Sequence, residues 1–343
     1  MLSLQPIRDE ASRLVRLGLP LIGAQLAGMG AIFVDTVFSG RLGASTLAGV
    51  AIGAGIWSAV NVVLVGVLVA VQASVAHLDG AEEHTSIGPV TRQGLWIGVG
   101  LALGGILVTT HTSPLLHLMR IPSGLIPIVD GYLSALAWGI PAWCAFLLLR
   151  FMSEGIGRTR PTLYFSLVGL VVNIPADAVL MYGLLGLPAL GARGCGYATA
   201  LVFWAELAAM AVYVAWHPHY RHLELYRPVE RPDPRQIAEL LGIGVPIAVA
   251  LFMEVSMFTV AALLLGSLGA TVIAAHQVAL NFAAISFMVP LGLSMAITVR
   301  VGNAAGRRDP LAVRRASFVG IGLALFCQVG SATVMFTLPR AIA

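Results

Sequence analysis

The chain has 343 residues, of which 58% are hydrophobic and 10% charged, whereas soluble domains carry about 25% charged residues. With a mean hydropathy of +0.90, that composition excludes a single soluble globule of this size. The formal charge of +4 comes from arginine without any lysine, and the arginines collect between apolar runs, which points to membrane topology and away from nucleic acid.

A bilayer core takes about 20 apolar residues per helix, and such runs recur along the chain. After a short polar start, the first span is expected at 13–38. It is too long for a signal-peptide core and lacks a small-x-small cleavage site, so it stays as a span. Further spans are expected at 45–76, 93–112, 128–152, 161–183 and 194–216. A hydrophilic stretch rich in Arg, Pro and His follows at 217–236, and then spans at 238–265, 271–302 and 313–337. The fold class is therefore an all-α polytopic membrane protein of nine helices, divided into 1–216, a linker at 217–236, and 237–343.

Alternation of these spans from a cytoplasmic N-terminus places sixteen arginines in inside segments and four outside, at Arg41, Arg120, Arg193 and Arg340. That bias matches the preference of basic residues for cytoplasmic loops. Cys144, Cys195 and Cys327 lie in or beside apolar stretches without paired spacing. They read as small lipid-facing or core-facing residues, and neither a disulfide nor a zinc site is expected.

Shifting the chain by 226 residues lays the first span on the seventh. Gly18, Pro20, Gly40, Gly43, Gly66 and Gly80 then fall on Gly244, Pro246, Gly266, Gly269, Gly292 and Gly306, and the turn RLGAS falls on SLGAT. Coincident glycines and prolines at turns and kinks argue for duplication. Six helices separate the two starts, so both copies share one orientation, as in parallel repeats about an axis along the membrane normal. The second copy holds three helices where the first holds six, and a C-terminally truncated chain is expected.

Acids inside spans cost roughly 2.5 to 3.5 kcal/mol each at a helix centre, so they mark function by default. Asp35 lies near the outer end of the first span. Asn173 and Asp177 are four apart in VVNIPADAV and share a helix face, and Pro175 between them frees a backbone carbonyl. This oxygen-rich set suits either a hard cation or a proton. Glu254 sits near the middle of the seventh span and aligns with Gly28, two helical turns before Asp35, so the two acids lie on nearly the same face about 10 Å apart along the axis. Glu206 is a further acid that either functions or bonds to a neighbouring helix. Gln277 and Asn281 are again four apart, with cleft lining and interhelical hydrogen bonding both open. The histidines lack metal-ligand spacing, and no Ser/His or phosphate-binding constellation stands out, so an enzyme is not expected.

The stretches FVDTVFSGRLGASTLAGV, SEGIGRTRPTL, VVNIPADAVLMYG, GARGCGYATA and AAHQVALNF closely resemble NorM-type members of the multidrug and toxic compound extrusion family. The resemblance covers essentially the whole chain. It implies a MATE-like two-lobe helical bundle, with a complete six-helix N-lobe and three helices of the C-lobe here. It implies efflux of organic cation drugs or toxic metabolites across the bacterial inner membrane in exchange for Na+ or H+, as a monomer without a cofactor. It places the coupling cation, as Na+ or H+, at Asp35, Asn173, Asp177 and Thr199. Glu254 matches a C-lobe acid, and Gln277 and Asn281 match polar positions of the helix after it. The alternatives are a lipid-linked oligosaccharide flippase of the same superfamily and a non-transporting truncated membrane protein.

Overall fold

The computed structural model describes residues 5–337 apart from 224, 229 and 267–269; the side chains of 259–278 also lie outside the description. Its long helices are α1 (Gln5–Leu42), α2 (Ala44–Gly80) and α3 (His84–Thr110). After a short α4 (Ser113–Leu118) come α5 (Ile126–Ala137), α6 (Ile140–Gly155), α7 (Arg160–Tyr182) and α8 (Ala192–Trp216). A single turn, α9 (Pro218–Arg221), precedes α10 (Pro234–Gly266), α11 (Ala270–Gly306) and α12 (Pro310–Thr337). Eight helices are long and apolar enough to cross a membrane, and counting the bent pair α5 and α6 as one span gives nine among the described residues.

The sequence places most helix ends. Pro127, Pro141 and Pro161 stand in the first turns of α5, α6 and α7, where a missing N–H costs nothing. Gly183, in the left-handed conformation at φ 73°, ends α7 as a C-cap. The span expected at 128–152 is corrected: it is two helices meeting at 49°. Pro141 cannot donate to the carbonyl of Ala137, which breaks the ladder there. Gly139 at the break packs against α8, where an added Cβ would lie 3.0 Å from that of Ala200.

α1 and α7 run parallel, with Gly23 against Leu163, Gly30 against Leu170 and the Tyr182 hydroxyl donating to the Phe38 carbonyl at 3.0 Å. α8 returns antiparallel beside α7, with Gly194 lying on the backbone of Leu180. Between 1–216 and the helices that follow, the closest approaches come in reciprocal pairs. Gly66 packs on Ala248, and Gly292 packs on Ile22. Gly244 lies on Val67, and Gly18 on Leu293; Gly80 lies on Asn303, and Gly306 on His77. Each pair becomes its mate when both positions shift by 226 in opposite senses. Contacts of that form are isologous, as across a two-fold axis, and they seat α10 on α2 and α11 on α1. Except at Gly18, where an added Cβ would make only ordinary contacts, these glycines are needed because only a missing side chain lets the chains approach this closely.

Candidate cation site and the contacts that close the opposite end

Near the end of α1 that turns into α2, Asp35 meets α7 and α8. The Asn173 amide donates to Asp35 Oδ1 at 3.1 Å. Asp177, one turn further along α7, is 0% exposed, and neither of its carboxylate oxygens has a hydrogen-bond partner. The remaining amide oxygen of Asn173, at 2% exposure, is also unpartnered. One carboxylate oxygen of Asp35, one of Asp177 and Cys195 Sγ all lie within 4.8 Å of one another. Thr199 is one turn along α8 from Cys195 and donates its hydroxyl to the Cys195 carbonyl at 3.0 Å. Ser39 is fully buried on the last turns of α1.

Helical spacing produces this convergence. Positions 173 and 177 share one face of α7, 195 and 199 one face of α8, and those faces meet where Asp35 reaches across from α1. Two facing carboxylates with no hydrogen bond to Asp177 are stable only with positive charge between them, as a proton or a cation. The structure thus brings Asp35, Asn173 and Asp177 together, with Thr199 on the adjoining turn. Of the two readings of Cys195 the core-facing one holds, since it is 0% exposed, and its neighbours there are two acids. The spacing GARGCGYATA carried that signal, since residue 195 shares the face of Thr199.

Glu206, 6% exposed and further along α8, rests its carboxyl against Gly169 of α7, where an added Cβ would lie 2.9 Å from Glu206 Cδ. Gly169 is one turn before Asn173, so Glu206 belongs to the same helix pair as the acid site. Glu254 is half-buried on α10, and Asn281 is exposed on α11. The side chain of Gln277 lies outside the described residues.

At the opposite end of the bundle are buried polar groups that hydropathy alone does not mark. Glu154 of α6 is 0% exposed and accepts from Arg150 Nε at 2.7 Å, Thr162 Oγ1 at 2.9 Å and Gln72 Nε2 at 3.2 Å. Gln72 also donates to the Met295 carbonyl of α11 at 3.5 Å. Arg150, near the end of the span expected at 128–152, is 6% exposed, and its guanidinium serves this cluster. Arg300 of α11 grips Glu10 of α1 through two bonds of 2.7 and 2.9 Å, and Asn303 donates to Asp79 of α2 at 2.7 Å. These acids lie at span ends, where an insertion cost is small and hydropathy gives no warning.

The segment 217–236 is strapped to α3. Arg92 Nε donates to Glu230 at 3.0 Å, the Gln93 amide to the Arg231 carbonyl at 3.1 Å, and the Trp96 indole to the Glu230 carbonyl at 3.0 Å. Arg92 holds the Glu230 carboxyl below the usual carboxylate range, chiefly through that hydrogen bond.

Comparison with known proteins agrees with the fold. The MatE family model matches residues 20–179 and 246–343. A probable multidrug resistance protein NorM of Shewanella oneidensis is 41% identical over 330 residues, covering 95% of this chain and 72% of the relative. The multidrug resistance protein PmpM of Pseudomonas aeruginosa is 40% identical, covering 98% of this chain and 71% of the relative. The multidrug resistance protein NorM of Vibrio cholerae is 36% identical, covering 96% and 72%. Among solved structures, an outward-facing multidrug resistance MATE family transporter of the MOP superfamily superposes with a TM-score of 0.84 at 19% identity, covering 99% of this chain and 75% of that one. A MATE protein in complex with MaD3S gives 0.86 at 19% identity, covering 99% and 77%. At that identity the structures establish the fold, and the sequence relatives establish the family. The chain belongs to the MatE family and is a NorM-type MATE transporter.

Proposed function

We propose that the chain is a secondary active multidrug efflux antiporter, which exports organic cations in exchange for inward-moving Na+ or H+ by alternating access. The reading is supported by relatives named for multidrug resistance and by one observation above all: Asp177 is buried beside Asp35 with both of its carboxylate oxygens lacking a hydrogen-bond partner. In this reading 1–216 is the N-lobe, 217–236 the interlobe linker, and 237–343 belongs to the C-lobe. The protein works as a monomer in the bacterial inner membrane. The arginine bias supports a cytoplasmic N-terminus, so the contacts of Glu10, Asp79 and Gln72 with α11 close the cytoplasmic side.

The coupling cation enters from outside, held by Asp35 and Asp177, with Asn173 and Thr199 supplying neutral oxygens. Neutralising the two carboxylates removes their mutual repulsion and draws α1 towards α7 and α8. A drug cation attracted by the same acids loses that attraction when the coupling ion is bound, so the two occupy the cleft in turn. This is coupling through differential affinity for two states. Glu254, Gln277 and Asn281 supply the facing polar side of the cleft. Rocking about the glycine-paired interface then exposes the site to the cytoplasm.

The experiment is gradient-driven ethidium efflux from proteoliposomes. Asp35→Asn should lower the coupled rate at least tenfold, and an unchanged coupled rate would remove Asp35 from the mechanism.

A further inference from the structure

The oxygen ligands proposed for the coupling ion leave one member of the cluster without a role. Cys195 is 0% exposed, and it faces carboxylates where a buried cysteine usually faces hydrocarbon. A hard cation such as Na+ gains little from sulfur, so the thiol does not serve that ion. We propose that Asp35, Asp177 and Cys195 form a binding site for a soft divalent d10 cation, Zn2+ or Cd2+, with Asn173 as a fourth donor.

Three observations carry this. The donor atoms of the two acids and the thiol already lie within 4.8 Å of one another. Around a tetrahedral zinc ion, donors stand about 3.6 Å apart given bonds of roughly 2.0 to 2.3 Å, so a contraction of about an ångström completes the set. Both Asp177 oxygens and one Asn173 oxygen are buried without a hydrogen bond, and these are the acceptors a cation would satisfy. The ligands come from α1, α7 and α8, so a bound ion would pin three helices at one point.

On binding, the sulfur–metal bond forms as the thiol proton leaves to water. A thiolate and two carboxylates would outweigh a divalent ion by one charge, which one retained carboxyl proton balances. Affinity therefore rises with pH, and binding releases protons. The site stands on this geometry whatever the cargo. Competition between the soft ion and the coupling ion is a consequence that rests on the transport reading.

The test uses the full chain in detergent with Cys144→Ala and Cys327→Ser, so that Cys195 is the one thiol. Cd2+ is titrated, and the ultraviolet thiolate-to-cadmium charge-transfer band is followed. Saturation at one ion per protein is expected, with loss of the band in Cys195→Ser and at least tenfold weaker binding in Asp177→Asn. X-ray absorption of the zinc-loaded single-thiol protein, which needs no change at the site, should give one sulfur at about 2.3 Å with the remaining ligands oxygen or nitrogen. Titration unaffected by Asp177→Asn, or a zinc shell without sulfur, would overturn the proposal. Neither readout involves transport, so a negative result here leaves the efflux reading intact, and inactive proteoliposomes leave this one intact.

Discussion

Glu10→Gln should loosen the end of the bundle that the structure holds closed. The Glu10 and Arg300 side chains are 8% and 16% exposed and share two bonds of 2.7 and 2.9 Å between α1 and α11. Hydrogen bonds to charged groups contribute about 1.5 to 3 kcal/mol, and an orphaned buried charge costs about 3 to 5 kcal/mol. Water reaches Arg300, so the lower range applies, at about 2 kcal/mol. The pair exists only while the two helices meet, so the loss falls on the closed state and shifts the closed-to-open ratio about 30-fold. Spin labels at Glu83→Cys and Leu311→Cys, with Cys327→Ser, would report the separation by pulsed dipolar spectroscopy. Glu10→Gln should move population from the short to a longer distance, and the charge swap Glu10→Arg with Arg300→Glu should restore the short one. Distance distributions that stay the same in Glu10→Gln, or a swap no better than Glu10→Arg alone, would show that the Glu10–Arg300 pair does not hold this end closed.

The reciprocal glycines predict matched effects. Gly66→Ala and Gly292→Ala each force a methyl into a backbone contact and should each cost about 1 to 3 kcal/mol, read as a lower thermal midpoint in detergent. Gly55→Ala and Gly100→Ala, which border open space inside helices, should not lower the midpoint and should if anything raise it slightly. For the linker strap, the folded carboxyl of Glu230 titrates below its ordinary value of 4.5, so its bond to Arg92 is fully present above that pH and is lost as pH falls through the lowered value. Trp96 fluorescence should therefore change below about pH 4.5, and the transition should disappear in Glu230→Gln.

Much of this architecture is legible in the sequence because the bilayer imposes length and polarity on each span. The shift of 226 that aligns Gly66 with Gly292 and Gly80 with Gly306 also names the positions that touch, since a two-fold places copies of one patch against each other. Asp35, Asn173 and Asp177 stood out because a charge in hydrocarbon is costly. Glu10, Asp79 and Glu154 did not, because acids at span ends resemble ordinary interfacial residues until packing buries them. Cys195 was hidden for the opposite reason: a thiol is unremarked in a hydrophobic run, and only its neighbours on α1 and α7 change its chemistry. The break at Gly139 was missed because apolarity continues through it, although Pro141 signalled the lost hydrogen bond.

The proposed mechanism has Asp35 and Asp177 exchange a small cation for the drug. It is tested most directly by loading proteoliposomes with ethidium and recording Na+ and H+ uptake alongside dye exit, for the unaltered chain and for Asp177→Asn. Uptake of one of these ions in proportion to dye exit is expected, abolished by Asp177→Asn while the protein stays folded. Dye exit without uptake of either ion, or proportional uptake that survives Asp177→Asn, would contradict it.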